Sequence, residues 1–323
     1  MNAKTLLCVI ASLVIGGVAQ AQVAGLPPAA GISAEARASL AADASRPASG
    51  PAIADRRARI EAIQQEIGGR MLVRYGVTMA DGEIAGIPVR SFTPKGWRPG
   101  GPILMNLHGG GFVVDSGSRT ENIPIAALTG YRVVAVLYRL APEHVFSAAL
   151  DDAESVYRVL RADTSNGRVG VYGTSAGAIL TAELIARLKA KAVPLPAAIG
   201  IFSGTADLAS TNDDSAQLYG GPGMDAVAQL YAGEHDLEDP AFSPLRGDLS
   251  GWPPALCLTS GRDFLLGATA ALCREIDAAG GTATLHLFDG LPHAFWAYVE
   301  APESDAAFML MARFLQRHLG AKQ

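Results

Sequence analysis

Ser175 stands in the middle of Gly173-Thr174-Ser175-Ala176-Gly177, with the apolar run Val169-Gly170-Val171-Tyr172 directly before it and a helical pattern over residues 178–184 directly after. A strand that must turn at once into a helix constrains the fold severely. The serine lands on a sharp turn at the carboxyl end of a buried strand, with its hydroxyl raised above the sheet edge. The glycines two residues to either side answer a steric demand, because a Cβ at either position of so tight a turn collides with backbone. The pentapeptide alone is a weak signal, and the flanking strand and helix are what give it meaning.

A second glycine motif lies upstream. Residues 102–107, Pro-Ile-Leu-Met-Asn-Leu, read as a buried strand running into His108-Gly109-Gly110-Gly111-Phe112. Glycines in succession after a strand free backbone N–H groups to point into a cavity, where they bind a developing oxyanion. Both motifs fall at strand ends, and in the order that such a site requires.

The hydroxyl of Ser175 needs a base to take its proton. Where the serine sits on such a strand–turn–helix, the acid follows it in the chain and the histidine follows the acid. That order removes His108 and His144. His286 falls inside a strand, His318 at the end of the last helix, and His235 in an irregular segment. His293, in Gly290-Leu291-Pro292-His293-Ala294-Phe295, follows the last strand at the sheet end where Ser175 must be. Asp263 leaves the end of the preceding strand and is the expected acid, with a helix cap for Leu265 onward as its alternative role. Asp289 is the rival acid, although only four residues before His293 it suits the turn better.

The periodicities agree with this placement. Residues 71–79 and 87–93 read as a hairpin closed near Asp81-Gly82. Apolar strands then alternate with helices at 103–107, 133–138, 169–172, 197–202, 255–258 and 284–288. Near-continuous apolar strands of this kind indicate a mostly parallel sheet, here eight-stranded, covered by helices on both faces: the α/β-hydrolase fold. Residues 34–44 behind Ser33 and residues 53–67 read as helices, and Ile53, Ile60, Ile63 and Ile67 share one face of the second. Asp55, Arg56, Arg59 and Glu66 are assigned to its solvent face. Residues 204–250 break the rhythm with a Thr-Asn-Asp-Asp run, a Gly-Gly-Pro-Gly run and a helix over 224–231, as a lid does. The expected division is therefore 1–21 signal peptide, 22–70 N-terminal cap helices, 71–203 and 251–323 catalytic domain, and 204–250 cap insertion.

Composition bounds the rest. The chain has 323 residues, a formal charge of −5 and no basic run, so no nucleic-acid partner is expected. Lys4, an apolar stretch over 6–18 and Ala19-Gln20-Ala21 form a secretory signal with cleavage expected after Ala21, an uncleaved anchor being the alternative. The stretch is short for a membrane span, so the mature protein is expected in the periplasm or secreted, with no stable membrane association. Cys8 leaves with the signal. Cys257 and Cys273 fall on a strand and on the helix that covers it, which favours free thiols. Neither clustered Cys and His nor a dinucleotide glycine motif in the right setting occurs, so no metal and no other cofactor is expected.

Together these residues resemble the hormone-sensitive-lipase family of α/β-hydrolases. The match rests on His108-Gly109-Gly110-Gly111, Tyr138-Arg139-Leu140-Ala141-Pro142-Glu143, the Ser175 turn, Asp239-Pro240 with Ser243-Pro244, and Pro253-Pro254, and it spans about residues 70–320. The resemblance implies a carboxylesterase acting on short- to medium-chain acyl esters through an acyl-enzyme. The same machinery on a lactone, amide or carbamate is the alternative. It implies oxyanion donors at the amides of Gly110, Gly111 and Ala176, with Gly109 shaping the turn, and structural supports in Arg139 and Glu143. Plant gibberellin receptors resemble the family without its catalytic histidine, but His293 is present here. A homodimer through sheet edges is open on the same analogy. Thr174 departs from the Asp that many members carry, as do Ala178 and Val145-Phe146-Ser147 from their usual residues. These departures bear on subgroup and substrate rather than on proton transfer.

Overall fold

A computed structural model describes residues 29–45, 52–164, 168–210, 214–219 and 223–320; the signal segment and the glycine-rich run at 220–222 lie outside the described residues. Eight strands form one sheet in the order β1-β2-β4-β3-β5-β6-β7-β8. They are β1 (Thr78–Ile84), β2 (Ile87–Thr93), β3 (Ile103–Leu107), β4 (Arg132–Val136), β5 (Val169–Thr174), β6 (Ala198–Phe202), β7 (Ala255–Arg262) and β8 (Ala283–Pro292). β1 and β2 are antiparallel, β2 pairs antiparallel with β4, and every pairing from β4 through β8 is parallel. All residues of β3, β5 and β6 are buried, which is why these strands read as unbroken apolar runs with no alternation.

Nine described helices flank the sheet: α1 (Ala34–Ala44), α2 (Ile53–Tyr75), α3 (Asn122–Thr129), α4 (Ala148–Asp163), α5 (Ala176–Ala190), α6 (Asp214–Tyr219), α7 (Gly223–Ala232), α8 (Leu266–Ala278) and α9 (Pro302–Leu319). One apolar cluster joins α1, α2, α3 and α9 to one face of the sheet. A second packs α4, α5 and α7 on the other face. Helix α7 thus enters the core through Val227, Ala228, Tyr231 and Ala232 rather than standing clear of it.

Two expectations are corrected here. The strand expected over 71–79 begins only at Thr78, since α2 continues to Tyr75 and stops at Gly76 in the left-handed conformation (φ 62°). The heptad-like face Ile63, Ile67 and Met71 carries on unbroken, all three buried, while Val73 points to solvent at 87% exposure. A boundary at residue 70 therefore cuts through a helix, and the hairpin closes at Ala85-Gly86 rather than at Asp81-Gly82. Arg56 is the second correction: it is buried at 1% exposure, so the polar side of α2 is only partly a solvent face.

Candidate active site

The parallel strands β5, β7 and β8 all point their carboxyl ends toward one edge of the sheet, and the three expected site residues follow directly from those ends. Ser175 adopts φ 58° and ψ −123°, a conformation that costs an L-residue on the order of 1–3 kcal/mol. Its amide holds the turn by donating to Phe202 O at 2.9 Å, extending the β5–β6 ladder by one bond. The flanking glycines are compulsory. A Cβ on Gly173 would stand 2.1 Å from Gly177 O, and one on Gly177 would stand 1.8 Å from Leu107 O. The second clash shows that α5 crosses directly over the end of β3, where the His-Gly-Gly-Gly loop begins.

That loop is folded back on itself. Gly109 bridges Ser116 through two backbone hydrogen bonds, its N–H donating at 2.9 Å and its carbonyl accepting at 3.1 Å. A Cβ on Gly109 would press to 2.9 Å from Thr174 O and 3.4 Å from Ser175 Cβ, so loop and elbow touch. Gly110 (φ 112°) and Gly111 (φ 60°) take backbone conformations that favour glycine. Gly110 uses its carbonyl to accept from Val113 and Val114. Among the described residues the amides of Gly110, Gly111 and Ala176 donate to no protein acceptor. Gly109 differs because its amide is occupied within the loop.

Asp263 is fully buried and accepts four hydrogen bonds. The Nδ1–H of His293 donates to Oδ1 at 2.7 Å, Leu265 N to Oδ1 at 2.8 Å, Thr259 Oγ1 to Oδ2 at 2.9 Å, and the Ser203 hydroxyl to Oδ2. Burial by itself pushes this carboxyl upward, but the neighbouring imidazole and these donors outweigh it and hold Asp263 below the usual carboxylate range. With Nδ1 donating to Asp263, the neutral ring of His293 presents Nε2 as an acceptor. The ring stacks on Phe264 with centroids 4.2 Å apart and keeps 15% of its side-chain surface exposed. Ser260 Oγ donates to Pro292 O at 2.9 Å and so ties the end of β7 to the start of the His293 loop.

The alternatives separate cleanly. Asp289 is exposed on β8 and makes no contact with His293, whereas Asp263 both orients the imidazole and caps the turn into α8. His108 turns its Nδ1 to Gly109 O and stacks on Tyr138, His235 pairs with Asp239 at 2.9 Å, and His144 is exposed. Arg139 locks to Asp152 at 2.8 Å and Glu143 accepts both Arg57 guanidinium nitrogens at 2.8 Å. That pairing draws the Glu143 carboxyl down to about 2.

Several residues around the site carry no sequence signature. Gln64 on α2 is fully buried; its Nε2 donates to Asp115 O at 2.9 Å and its Oε1 accepts from Gly117 N at 3.0 Å and Arg119 N at 3.1 Å. Arg57 on the same helix donates to Val113 O at 2.8 Å. Ser203 (φ 48°) supports Asp263 from the end of β6. No linear spacing points to these contacts, because each joins segments far apart in the chain. Cys257 and Cys273 are buried free thiols.

A strained serine on a strand–helix elbow, a buried Asp–His pair at the same sheet edge and free amides beside them define an α/β-hydrolase of the serine type. The chain belongs to that family: the family model described as alpha/beta hydrolase fold matches residues 104–297, and the hormone-sensitive-lipase branch is where its relatives lie. It is 31% identical to an acetyl-hydrolase of Streptomyces hygroscopicus over 233 residues, covering 69% of this chain and 78% of that one. It is 32% identical to an ethyl acetate hydrolase of Pseudomonas putida over 263 residues, covering 75% and 81%. Among solved structures, esterase E25 superposes with a TM-score of 0.77 at 31% identity, covering 91% of this chain and 97% of that one. A hormone-sensitive lipase from a metagenome library superposes with 0.78 at 25%, covering 90% and 99%. The protein is a carboxylesterase.

Proposed function

We propose that Ser175, His293 and Asp263 are the nucleophile, general base and orienting acid of this esterase, and that the amides of Gly110, Gly111 and Ala176 form its oxyanion hole. The observation that carries the assignment is the buried Asp263–His293 hydrogen bond of 2.7 Å, which fixes the imidazole tautomer at the sheet edge where the strained Ser175 turn emerges. In the first half-reaction Ser175 Oγ attacks the ester carbonyl while His293 Nε2 takes its proton. The carbonyl oxygen becomes the oxyanion held by the three amides, each worth about 3 kcal/mol in such sites. Imidazolium, stabilised by Asp263, then protonates the departing alcohol, leaving an acyl-enzyme. Water enters in place of the alcohol, His293 takes its proton, and collapse of the second intermediate frees the acid and the serine. The test is labelling by a fluorophosphonate together with hydrolysis of p-nitrophenyl acetate and butyrate. Covalent label on Ser175 is expected, and a folded but unlabelled protein would remove the assignment.

The substrate is a small, soluble ester with a short- to medium-chain acyl group. Support comes from relatives named for acetyl groups and ethyl acetate, and from α7, which is packed into the core as a fixed cap over a small pocket would be. The mature enzyme starts at Gln22 after export to the periplasm or medium, as the Ala19-Gln20-Ala21 signal suggests. Amino-terminal sequencing of exported protein checks this, and a start at Met1 in the membrane fraction refutes it. Two copies pair through β8, the sheet edge on which Leu285 (42%) and Leu287 (55%) are exposed. Sedimentation of a Leu285→Lys/Leu287→Lys variant as a monomer beside a dimeric parent is the expected result, and a monomeric parent ends the idea.

A further inference from the structure

A buried acid on the helix that follows Ser175 is tied to a different helix and takes no part in proton transfer. Glu183 on α5 has no exposed surface; its Oε2 accepts from the Tyr231 hydroxyl at 2.8 Å, and its Oε1 is buried without a partner. Every residue of α5 from Ala176 to Ile185 is buried, so an apolar side chain would suit this position, and the orphaned oxygen costs about 1–3 kcal/mol. Tyr231, on α7, is fixed from several sides. Its carbonyl accepts from Phe146 N at 2.7 Å, the Phe146 ring meets it edge-on at 5.8 Å, and Phe242 stacks at 5.5 Å. Its ring also lies flat on Phe112, with centroids 3.5 Å apart and planes within 3°. Phe112 directly follows Gly110 and Gly111 and takes φ 62°, a left-handed conformation that a bulky residue keeps only where its surroundings enforce it.

We propose that Tyr231 and Glu183 are positioning residues that hold the two halves of the oxyanion hole in register. This rests on the assignment of the hole given above. Two of its amides, Gly110 and Gly111, belong to a loop that neither amide steadies by a hydrogen bond of its own, and the third, Ala176, opens α5. Phe112 carries the end of that loop, the Tyr231 ring seats Phe112, and the hydroxyl of the same ring is tied to α5 about two turns beyond Ala176. Packing of two flat rings resists their separation but lets them slide, whereas a directional hydrogen bond of 2.8 Å fixes the ring along the helix as well. The Phe112 carbonyl is held from another side, accepting from Ala141 N at 2.9 Å, so the loop is pinned toward the segment after β4 and, through its ring, toward α5. A donor shifted away from a developing oxyanion forfeits part of the roughly hundred- to thousandfold that such a donor supplies to kcat. The tie does not depend on ionisation. Burial pushes the Glu183 carboxyl well above its ordinary range, and a phenol donates to a carboxylate and to the carbonyl oxygen of a carboxyl alike.

The test is a double-mutant cycle read with p-nitrophenyl butyrate. Tyr231→Phe keeps the ring and its stacking and removes only the hydroxyl, and kcat should fall about tenfold with KM nearly kept. Glu183→Leu should lose a similar factor, whereas Glu183→Gln, which still offers the hydroxyl an oxygen, should stay within about threefold of wild type. Tyr231→Phe and Glu183→Leu each orphan a buried polar group, so both should also unfold at lower denaturant concentration. Combining the two removes both partners. Stability should then return toward wild type, while kcat stays about tenfold low and no lower than in either single variant. A residue that merely supported the fold would recover rate and stability together. Wild-type kcat in the double variant, single losses that multiply in it, or Glu183→Gln as slow as Glu183→Leu overturns the proposal. Wild type is labelled with a fluorophosphonate in parallel. An unlabelled wild type overturns the catalytic assignment and this proposal with it, whereas the kinetic outcomes just named, in a labelled enzyme, overturn the proposal alone. Should a single variant not fold, the double variant, which leaves neither group orphaned, decides the matter by its kcat.

Discussion

An imidazole serves as a base only while one nitrogen is bare and aimed, and Asp263 supplies both conditions by binding the other nitrogen. Replacing Asp263 with Asn removes the charge and permits the wrong tautomer. Steady-state kinetics should show kcat down about ten-thousandfold with KM and fold nearly intact. If Asp289→Asn has that effect instead, the acid has been misassigned. Ser175→Ala and His293→Ala should each cost roughly a millionfold in kcat, and the double variant hardly more, because the residues act as a unit. Acid stability follows from the same carboxyl. Its folded value lies below its unfolded one, so its contribution is complete above the ordinary carboxylate range and fades only as pH falls through the lowered value. Denaturant unfolding of Asp263→Asn at decreasing pH should therefore lack the part of the acid destabilisation that wild type shows.

At the scale of elements, the N-terminal helix α2 does more than cover apolar surface. Gln64 and Arg57 reach four residues of the glycine loop and its continuation toward α3, at Val113, Asp115, Gly117 and Arg119, and Arg57 also reaches Ala141 beyond β4. The loop contains three consecutive residues at positive φ and has few side chains of its own to hold it. Gln64→Leu leaves three backbone groups without partners, each costing about 1–3 kcal/mol where water cannot replace them. Thermal unfolding should shift down by several degrees. At temperatures well below that transition kcat should still fall while KM is nearly kept, since the donors act on the developing oxyanion. A Gln64→Leu enzyme with wild-type kcat would show that the loop holds its shape unaided.

For the whole molecule, α7 is continuous with the core: its Tyr231 stacks on Phe112 of the glycine loop with centroids 3.5 Å apart and donates to buried Glu183 on α5. With 204–250 as the proposed cap, a roof anchored in this way limits pocket depth. Each added CH₂ contributes about 0.8 kcal/mol while there is room and nothing beyond it. Across p-nitrophenyl esters kcat/KM should rise to about C4–C6 and then decline, with no jump above the micellar concentration. Maximal rates on C12–C16 chains, or interfacial activation, would contradict a fixed roof.

Much of this was legible in the chain because it is local. The Gly173–Gly177 pattern, the strand before it and the helix after it dictate the elbow through sterics among neighbours, and the same holds for the glycine loop after β3. Order along the chain then singles out His293 and Asp263, since parallel strands deliver every following loop to one sheet edge. The length of α2 was misread because β-rich composition over 71–79 outweighed a helical face that continues through Met71. Arg56 was misplaced because periodicity records which side a residue occupies and not what packs there. Gln64 and Ser203 were invisible for a more basic reason. Their roles are hydrogen bonds across 51 to 60 positions of chain, made in buried polar pockets that exist only once the sheet has closed around them.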